Sequence, residues 1–243
     1  MQEPHYVSQR ALGVAIIAAS MLMMATGVAA GDSALIQALK AKAIAGDVDA
    51  QLSLARAYDF GRGVRSSTGE AAKWYEAAAQ QGNANAQNSI GSLYLVGAGV
   101  SKDPLKACDW FAKSAAQEDV QGTGNWGYCF DFGIGVARDR AKGATLYEKA
   151  AEAGDLQSML NLGVDYWKGV GVERDLAKGY MWLDLVRFYT QTGNANRMLK
   201  WRARGALDAM TKEISPDVKA QGESLWREWD KANRSKVQQP SAY

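Results

Sequence analysis

The chain has 243 residues, of which 22% are charged, and its formal net charge is +2. A balance this close to neutral argues against nucleic acid or an anionic membrane surface as the partner. The one histidine is His5, so the rest of the chain offers no imidazole for a catalytic triad or a zinc site. No cofactor is expected.

The N-terminal segment, residues 1–30, predicts a secretory signal peptide. Residues 11–30 carry no charged side chain and end in Val28-Ala29-Ala30, a small-residue cleavage site. Cleavage near Ala30 would make the protein periplasmic or secreted, with no stable membrane insertion afterwards. The alternative is an uncleaved anchor helix, because a run of 20 apolar or uncharged residues just suffices to span a bilayer.

One short motif, Gly-x-Gly-Val, occurs four times at a constant interval of 36 residues. The copies begin at Gly61, Gly97, Gly133 and Gly169. A fixed period of this size is typical of a solenoid, in which each unit buries its apolar face against its neighbours. Because glycine adopts the left-handed conformation without strain, each copy predicts the end of a helix.

Each unit predicts two helices around this motif. The first helix carries an apolar and an aromatic residue four positions apart on one face; the pairs are Leu54 and Tyr58, Ile90 and Tyr94, Trp126 and Phe130, and Leu162 and Tyr166. A polar residue suited to cap the second helix follows the motif; these residues are Ser67, Asp103, Asp139 and Asp175. The third unit begins with Glu118-Asp119 where other units have Gly, so this turn should be less favourable.

The pattern Leu54-Ala55-x-x-Tyr58-x-x-Gly61-x-Gly63-Val64, followed by Ala71-x-x-Trp74-Tyr75-x-x-Ala78-Ala79-x-x-Gly82, resembles the Sel1-like repeat. The resemblance implies an all-α fold, an α-solenoid in which antiparallel helix pairs stack into a right-handed superhelix like that of tetratricopeptide repeats. It assigns four repeats to residues 46–192, divided into 46–81, 82–117, 118–153 and 154–192. Members with such a signal peptide occur mostly in the periplasm of Gram-negative bacteria.

Both ends of the array predict capping elements, because an end repeat has an exposed apolar face. Residues 31–45 form an N-terminal capping helix, with Leu35, Leu39 and Ala43 at helical spacing. Residues 193–235 form a degenerate repeat, restarting at 193–196, and a final helix that covers the last repeat with Leu225, Trp226 and Trp229. Residues 236–243 predict a flexible tail.

The pattern of polar residues favours a protein that is not an enzyme. No Ser or Thr stands three residues before a Lys, so the Ser-x-x-Lys nucleophile of penicillin-interacting enzymes is missing. A hydrolase acting on the cell wall or on β-lactams is kept as the alternative. Asp59 and Asp131 recur at one position of the repeat, and they are interpreted as part of a solvated helix face.

The two cysteines predict a disulfide. Cys108 lies in the second helix of unit two and Cys129 in the first helix of unit three, each ten residues from the turn at Glu118-Asp119. Two antiparallel helices would hold them at about the same height. An even number of cysteines in an exported protein favours a bridge, and two small buried thiols are the alternative.

By elimination and by analogy, the sequence predicts a scaffold or regulator that binds a protein or peptide partner in the cell envelope. In solenoids of paired helices the first helices line the concave binding surface. The residues between the core rows of these helices are therefore the candidate binding residues. They include Arg56, Phe60, Ser92, Asn125, Tyr128, Phe132, Asn161 and Lys168.

Overall fold

A computed structural model describes residues 34–191 and 197–237 of the chain. All regular structure in these residues is helical. The helices are α1 (34–44), α2 (Val48–Phe60), α3 (Thr68–Gln80), α4 (Ala84–Val96), α5 (Pro104–Ala115), α6 (Val120–Phe132), α7 (Arg140–Glu152), α8 (Leu156–Lys168), α9 (Leu176–Tyr189), α10 (Arg197–Met210), α11 (Pro216–Asn233) and a short 3-10 helix, Arg234–Lys236. The predicted signal peptide and the restart of the repeat at 193–196 lie outside the described residues.

The chain divides between Gln81 and Gly82 into two compact units. The first unit contains α1, α2 and α3. Its core gathers Ala43, Ala50 and Leu54, with Tyr58 and Trp74 packed beside them. The apolar spacing that predicted an N-terminal capping helix therefore places α1 against the first helix of the first repeat.

In the second unit, helices α4 to α9 pack each against the next, so that the chain is an all-α solenoid of helix pairs. Helices α10 and α11 both pack against α9. The rings of Trp229 and Trp182 meet edge to face at 5.4 Å between centroids, and those of Trp226 and Phe188 meet at 5.1 Å. Helix α11 thus packs on the last helix pair through the rings of Trp226 and Trp229.

The repeated motif ends the first helix of every pair. The C-cap glycines Gly61, Gly97, Gly133 and Gly169 have φ between 68° and 80°. The predicted caps also hold: Ser67, Asp103, Asp139 and Asp175 each accept a hydrogen bond from the backbone N–H three residues later. Glu118 has φ 61°, a conformation that is strained for a residue with a β-carbon. The turn at Glu118-Asp119 is therefore the less favourable one, as expected.

The C-terminal end corrects one expectation. Lys236 and Val237 fall in the segment that predicted a flexible tail, yet Val237 is 7% exposed and belongs to the core of the second unit. The backbone of both residues lies where a β-carbon on Gly154 would stand. The prediction of a flexible tail is wrong for these two residues. Their backbone packs against the turn at Gly154, and the Val237 side chain joins the hydrophobic core.

Two glycines bring the helices of the third pair close together. A β-carbon on Gly127 of α6 would lie 3.0 Å from the carbonyl oxygen of Gly143 and 3.1 Å from the Tyr147 ring. A β-carbon on Gly143 would likewise lie 3.0 Å from the carbonyl oxygen of Gly127. The missing side chains therefore let α7 hold the ring of Tyr147 directly against α6.

Candidate functional site

A cleft of about 440 Å³ opens in the second unit between α6 and α8, the first helices of the third and fourth pairs. Helix α7 contributes one residue to its wall, Tyr147, and α10 contributes Arg202. The remaining lining residues are Leu95, Gly124, Asn125, Tyr128, Asp131, Phe132, Asp155, Gln157, Ser158, Asn161, Val164 and Asp165.

Four of the predicted binding residues meet in this cleft: Asn125, Tyr128, Phe132 and Asn161. The rings of Tyr128 and Phe132 contact each other, with 4.5 Å between centroids and 36° between planes. Phe132 is 55% exposed, whereas Tyr128 is half-buried and also packs against the core of the second unit. The two rings together form an apolar wall with one exposed edge.

The other four predicted residues are not part of the cleft. Ser92 of α4 donates a hydrogen bond from its hydroxyl to the carbonyl oxygen of Asn88, 3.1 Å away in the same helix. Lys168 is exposed, and its Nζ lies 3.3 Å from the centroid of the Trp167 ring. Arg56 and Phe60 are exposed in the first unit.

Hydrogen bonds hold the amide side chains of the first helices in place. Asn125 Nδ2 donates to Asn88 Oδ1 at 2.7 Å, and Asn88 Nδ2 donates to Gln121 Oε1 at 3.1 Å, so α4 is tied to α6. Asn161 Oδ1 accepts a hydrogen bond from Gln157 Nε2 at 2.9 Å within α8. The amides therefore stabilise the walls of the cleft besides lining it.

Asp165 is the cleft residue that the sequence interpretation missed. Its equivalents in the other repeats are Ala57, Leu93 and Cys129, all small or apolar. Asp165 is itself 7% exposed, and its carboxylate makes no hydrogen bond or ion pair with any residue of 34–191 or 197–237. A comparison of the repeats at this position would have found it, because here a charge replaces a small or apolar residue of the core.

Asp131 corrects the expectation of a solvated helix face. Its side chain is 16% exposed and forms an ion pair of 3.6 Å, Oδ1 to Nε, with Arg140. The equivalent residue of the first repeat, Asp59, is also half-buried, and its Oδ2 accepts a hydrogen bond from the Tyr75 hydroxyl at 3.2 Å. Both carboxylates therefore have partners inside the protein.

Tyr75 bonds to Asp59 in the first repeat, but the equivalent tyrosine of the third repeat does not bond to Asp131. Tyr147, the equivalent of Tyr75, is 1% exposed, and its hydroxyl oxygen makes no hydrogen bond of ordinary geometry in the described part of the chain. The Asn161 amide is close enough to influence its pKa, but burial dominates and raises the pKa of the Tyr147 phenol, with the charges of Asp131 and Asp165 adding to the rise.

Burial also raises the pKa of Asp165, to about 7, with the neighbouring charge of Asp131 raising it further and that of Arg140 opposing the rise. At the far end of the cleft, Asp155 caps α8 by accepting a hydrogen bond from the Ser158 backbone N–H at 2.7 Å. Arg202 Nη1 lies 3.5 Å from Gln157 Oε1. Asp165 is thus the cleft carboxylate that has neither a cation nor a helix cap as its partner.

The sulfur atoms of Cys108 and Cys129 are joined in a disulfide, with 6.0 Å between the Cα atoms. This confirms the predicted pairing. Because Cys129 follows Tyr128, the bridge fixes α6, one wall of the cleft, to α5.

Within 34–191 and 197–237, no cluster of three or more metal-binding side chains was found. No helix in the same residues has the length and apolar character needed to cross a membrane.

Comparisons with known proteins agree with the repeat architecture. The Sel1 repeat model matches residues 48–83, 84–119, 124–155 and 156–185, together more than half of the chain. No match was found among curated proteins.

The chain is similar to a protective antigen of uropathogenic Escherichia coli that displays an SLR fold, with 28% identity and a TM-score of 0.72 over 83% of this chain. It spans 42% of the length of that antigen. It is also similar to a Sel1 repeat protein from Oxalobacter formigenes, with 27% identity, a TM-score of 0.55, and coverage of 77% of this chain and 74% of the other. The four helix pairs, their glycine caps and these matches show that the chain belongs to the Sel1 repeat family, a fold that generally serves as a non-enzymatic scaffold for protein interactions.

Proposed function

We propose that this protein is an exported interaction scaffold that binds a protein of the cell envelope through the first helices of its repeats. The observation that supports the proposal best is the cleft between α6 and α8, where Tyr128 and Phe132 form an apolar wall beside the amides of Asn125 and Asn161. Aromatic rings combined with amide groups can hold an extended peptide by ring contact and by hydrogen bonds to its backbone.

Export is supported by the disulfide between Cys108 and Cys129, because such bonds persist in oxidising compartments such as the periplasm. The charge-free segment 11–30 and the site at Val28-Ala29-Ala30 supply the signal for export. N-terminal sequencing of protein from the producing cell should begin near Gly31. A mature chain that retains Met1 and is recovered with the cytoplasm would contradict the proposal.

The binding surface is tested by capture from an envelope extract with the immobilised protein, followed by identification and titration of the captured protein. Tyr128→Ala should weaken binding more than tenfold, as expected for an aromatic anchor at an interface. Because Tyr128 is half-buried, Phe132→Ala serves as a second variant; Phe132 is more exposed, so its loss should weaken binding with little effect on stability.

Trp201→Ala is the matched control. Trp201 is a 71% exposed aromatic residue of α10 that does not line the cleft, so its removal should leave binding unchanged. Equal effects of Trp201→Ala and Phe132→Ala would point to general surface adhesion. Unchanged binding in both Tyr128→Ala and Phe132→Ala would refute the proposed surface.

A further inference from the structure

The carboxylate of Asp165 is the unusual feature of the cleft. A largely buried carboxylate without a protein partner is unfavourable, because it loses much of its hydration and gains no ion pair or hydrogen bond in return. At the equivalent position the first three repeats place Ala57, Leu93 and Cys129, so the fold itself does not require a charge here. A residue that destabilises the free protein at a position that tolerates apolar side chains points to a ligand.

Nearby cations do not satisfy this carboxylate. Arg140 lowers the pKa of the Asp165 carboxyl by its charge, but its guanidinium is bound to Asp131. Arg202 lies near Gln157 in the first turn of α8, the helix that Asp155 caps. No titratable side chain of α9, the other helix packed against α8, lines the cleft. The middle of the cleft therefore carries one uncompensated negative charge when Asp165 is ionised.

The surrounding groups suit an organic cation. The hydroxyl of Tyr147 is buried in the wall of the cleft and makes no hydrogen bond of ordinary geometry in the described residues, so it does not satisfy the Asp165 carboxylate. The rings of Tyr128 and Phe132 offer faces and edges to an alkyl stem and to a positive charge. A hard metal ion, by contrast, needs six or more oxygen ligands, and the aromatic wall provides none at Phe132.

We infer that the cleft binds the side chain of a lysine or arginine carried by an extended segment of the protein partner. The ammonium or guanidinium group would pair with Asp165 and lie near Asp131, while the stem packs on Tyr128 and Phe132. This inference rests on the proposed function, since it names the chemistry of the partner that the same surface binds.

The electrostatics of the empty cleft add a pH dependence. Because burial and Asp131 raise the pKa of Asp165 to about 7 against the opposing charge of Arg140, binding of a cation below that pH must first release a proton from the carboxyl. Affinity should therefore fall about tenfold between pH 8 and pH 6. Asp155, Arg202 and the phenols of Tyr128 and Tyr147 also face the cleft. The Asp165→Leu variant, which keeps those groups, shows whether the dependence belongs to Asp165.

The test is selection of random twelve-residue peptides, displayed on phage, by the full chain and by Asp165→Leu. The wild-type protein should select peptides with Lys or Arg at a recurrent position. In a selected peptide, replacement of Lys by norleucine or of Arg by citrulline should weaken binding to the wild type at least tenfold. The same replacement should leave binding to Asp165→Leu unchanged. The second repeat has leucine, Leu93, at this position, so Asp165→Leu is expected to fold. Its melting temperature checks that it does.

The outcomes separate this inference from the proposed function. Selected peptides without a basic residue, which Tyr128→Ala nevertheless binds less well, would overturn the inference and leave the interaction surface standing. A preference for Lys or Arg that Asp165→Leu retains would also overturn it. Failure of the wild type to select any peptide would count against both. Asp131→Asn should weaken binding of the basic peptide less than Asp165→Leu, because Asp131 is already paired with Arg140.

Discussion

Replacing Asp165 with asparagine should stabilise the free protein, and the gain should depend on pH. Asparagine keeps the shape of the side chain but removes the charge that burial and Asp131 disfavour. Burial raises the pKa of Asp165 in the folded protein to about 7, compared with an ordinary value of 3.8 for aspartic acid. A raised pKa means that the folded state holds the proton more tightly than the unfolded state, so the carboxyl destabilises the fold once the pH exceeds the unfolded value.

The magnitude follows from the difference between the two pKa values. A difference of this size corresponds to about 4 kcal/mol above pH 7. Because the side chain opens on the cleft and water reaches part of it, about 2 kcal/mol is a better expectation for the gain at pH 8. The gain should shrink as the pH falls through 7 and approach zero near pH 4, where aspartic acid is neutral in both states.

The assay is urea unfolding of wild type and variant at pH 8 and pH 5, in the same buffer composition and salt. Asp208→Asn, which removes an exposed carboxylate of α10, controls for the loss of one negative charge. A stabilisation of equal size at both pH values would refute the electrostatic reasoning. A loss of stability at pH 8 would show that the carboxylate has a structural partner.

Two further predictions concern the third repeat. Glu118→Gly should raise the free energy of unfolding by about 0.5–1 kcal/mol, because glycine relieves the strain of the positive φ and the exposed ion pair with Lys149 contributes less than about 1 kcal/mol. Gly82→Glu should have the opposite effect. A lower free energy of unfolding for Glu118→Gly, measured in urea, would contradict the argument. Reduction of the Cys108–Cys129 bridge, which closes a loop of 21 residues, should lower the free energy of unfolding by about 3 kcal/mol; peptide mapping of protein from an oxidising compartment that finds two free thiols would contradict the bridge.

The helices and their ends could be predicted because the signals for them are local. A C-cap glycine acts on the turn that precedes it, and an N-cap carboxylate acts on the N–H three residues later. Four copies of each signal at one interval left no ambiguity of register. The turn at Glu118 was predicted to be unfavourable for the same reason, since its left-handed conformation is dictated by the position in the repeat.

The site was predicted only in part because its decisive contacts join different repeats. The periodic pattern located Tyr128 and Phe132 on the first helix, and their ring contact follows from their spacing of one turn. It could not show that Asp131 pairs with Arg140 instead of Tyr147, since the equivalent Asp59 bonds to Tyr75. Nor could it place Val237 beside Gly154, because no local signal links residues so far apart.

A repeat array makes departures from its own rule informative. Each repeat solves the same packing problem, so a residue that breaks the pattern and destabilises the fold is unexplained by packing alone. In this chain the position shared by Leu93, Cys129 and Asp165 carries an apolar residue, then half of a disulfide, then a buried charge. The disulfide fixes α6 to α5, and by constraining the unfolded chain it stabilises the fold by about 3 kcal/mol. This gain is comparable in size to the expected cost of the unpaired carboxylate on α8. The array thus keeps an unpaired carboxylate opposite a helix fixed by a covalent bond. Packing alone does not explain that carboxylate, and a cationic ligand would satisfy it.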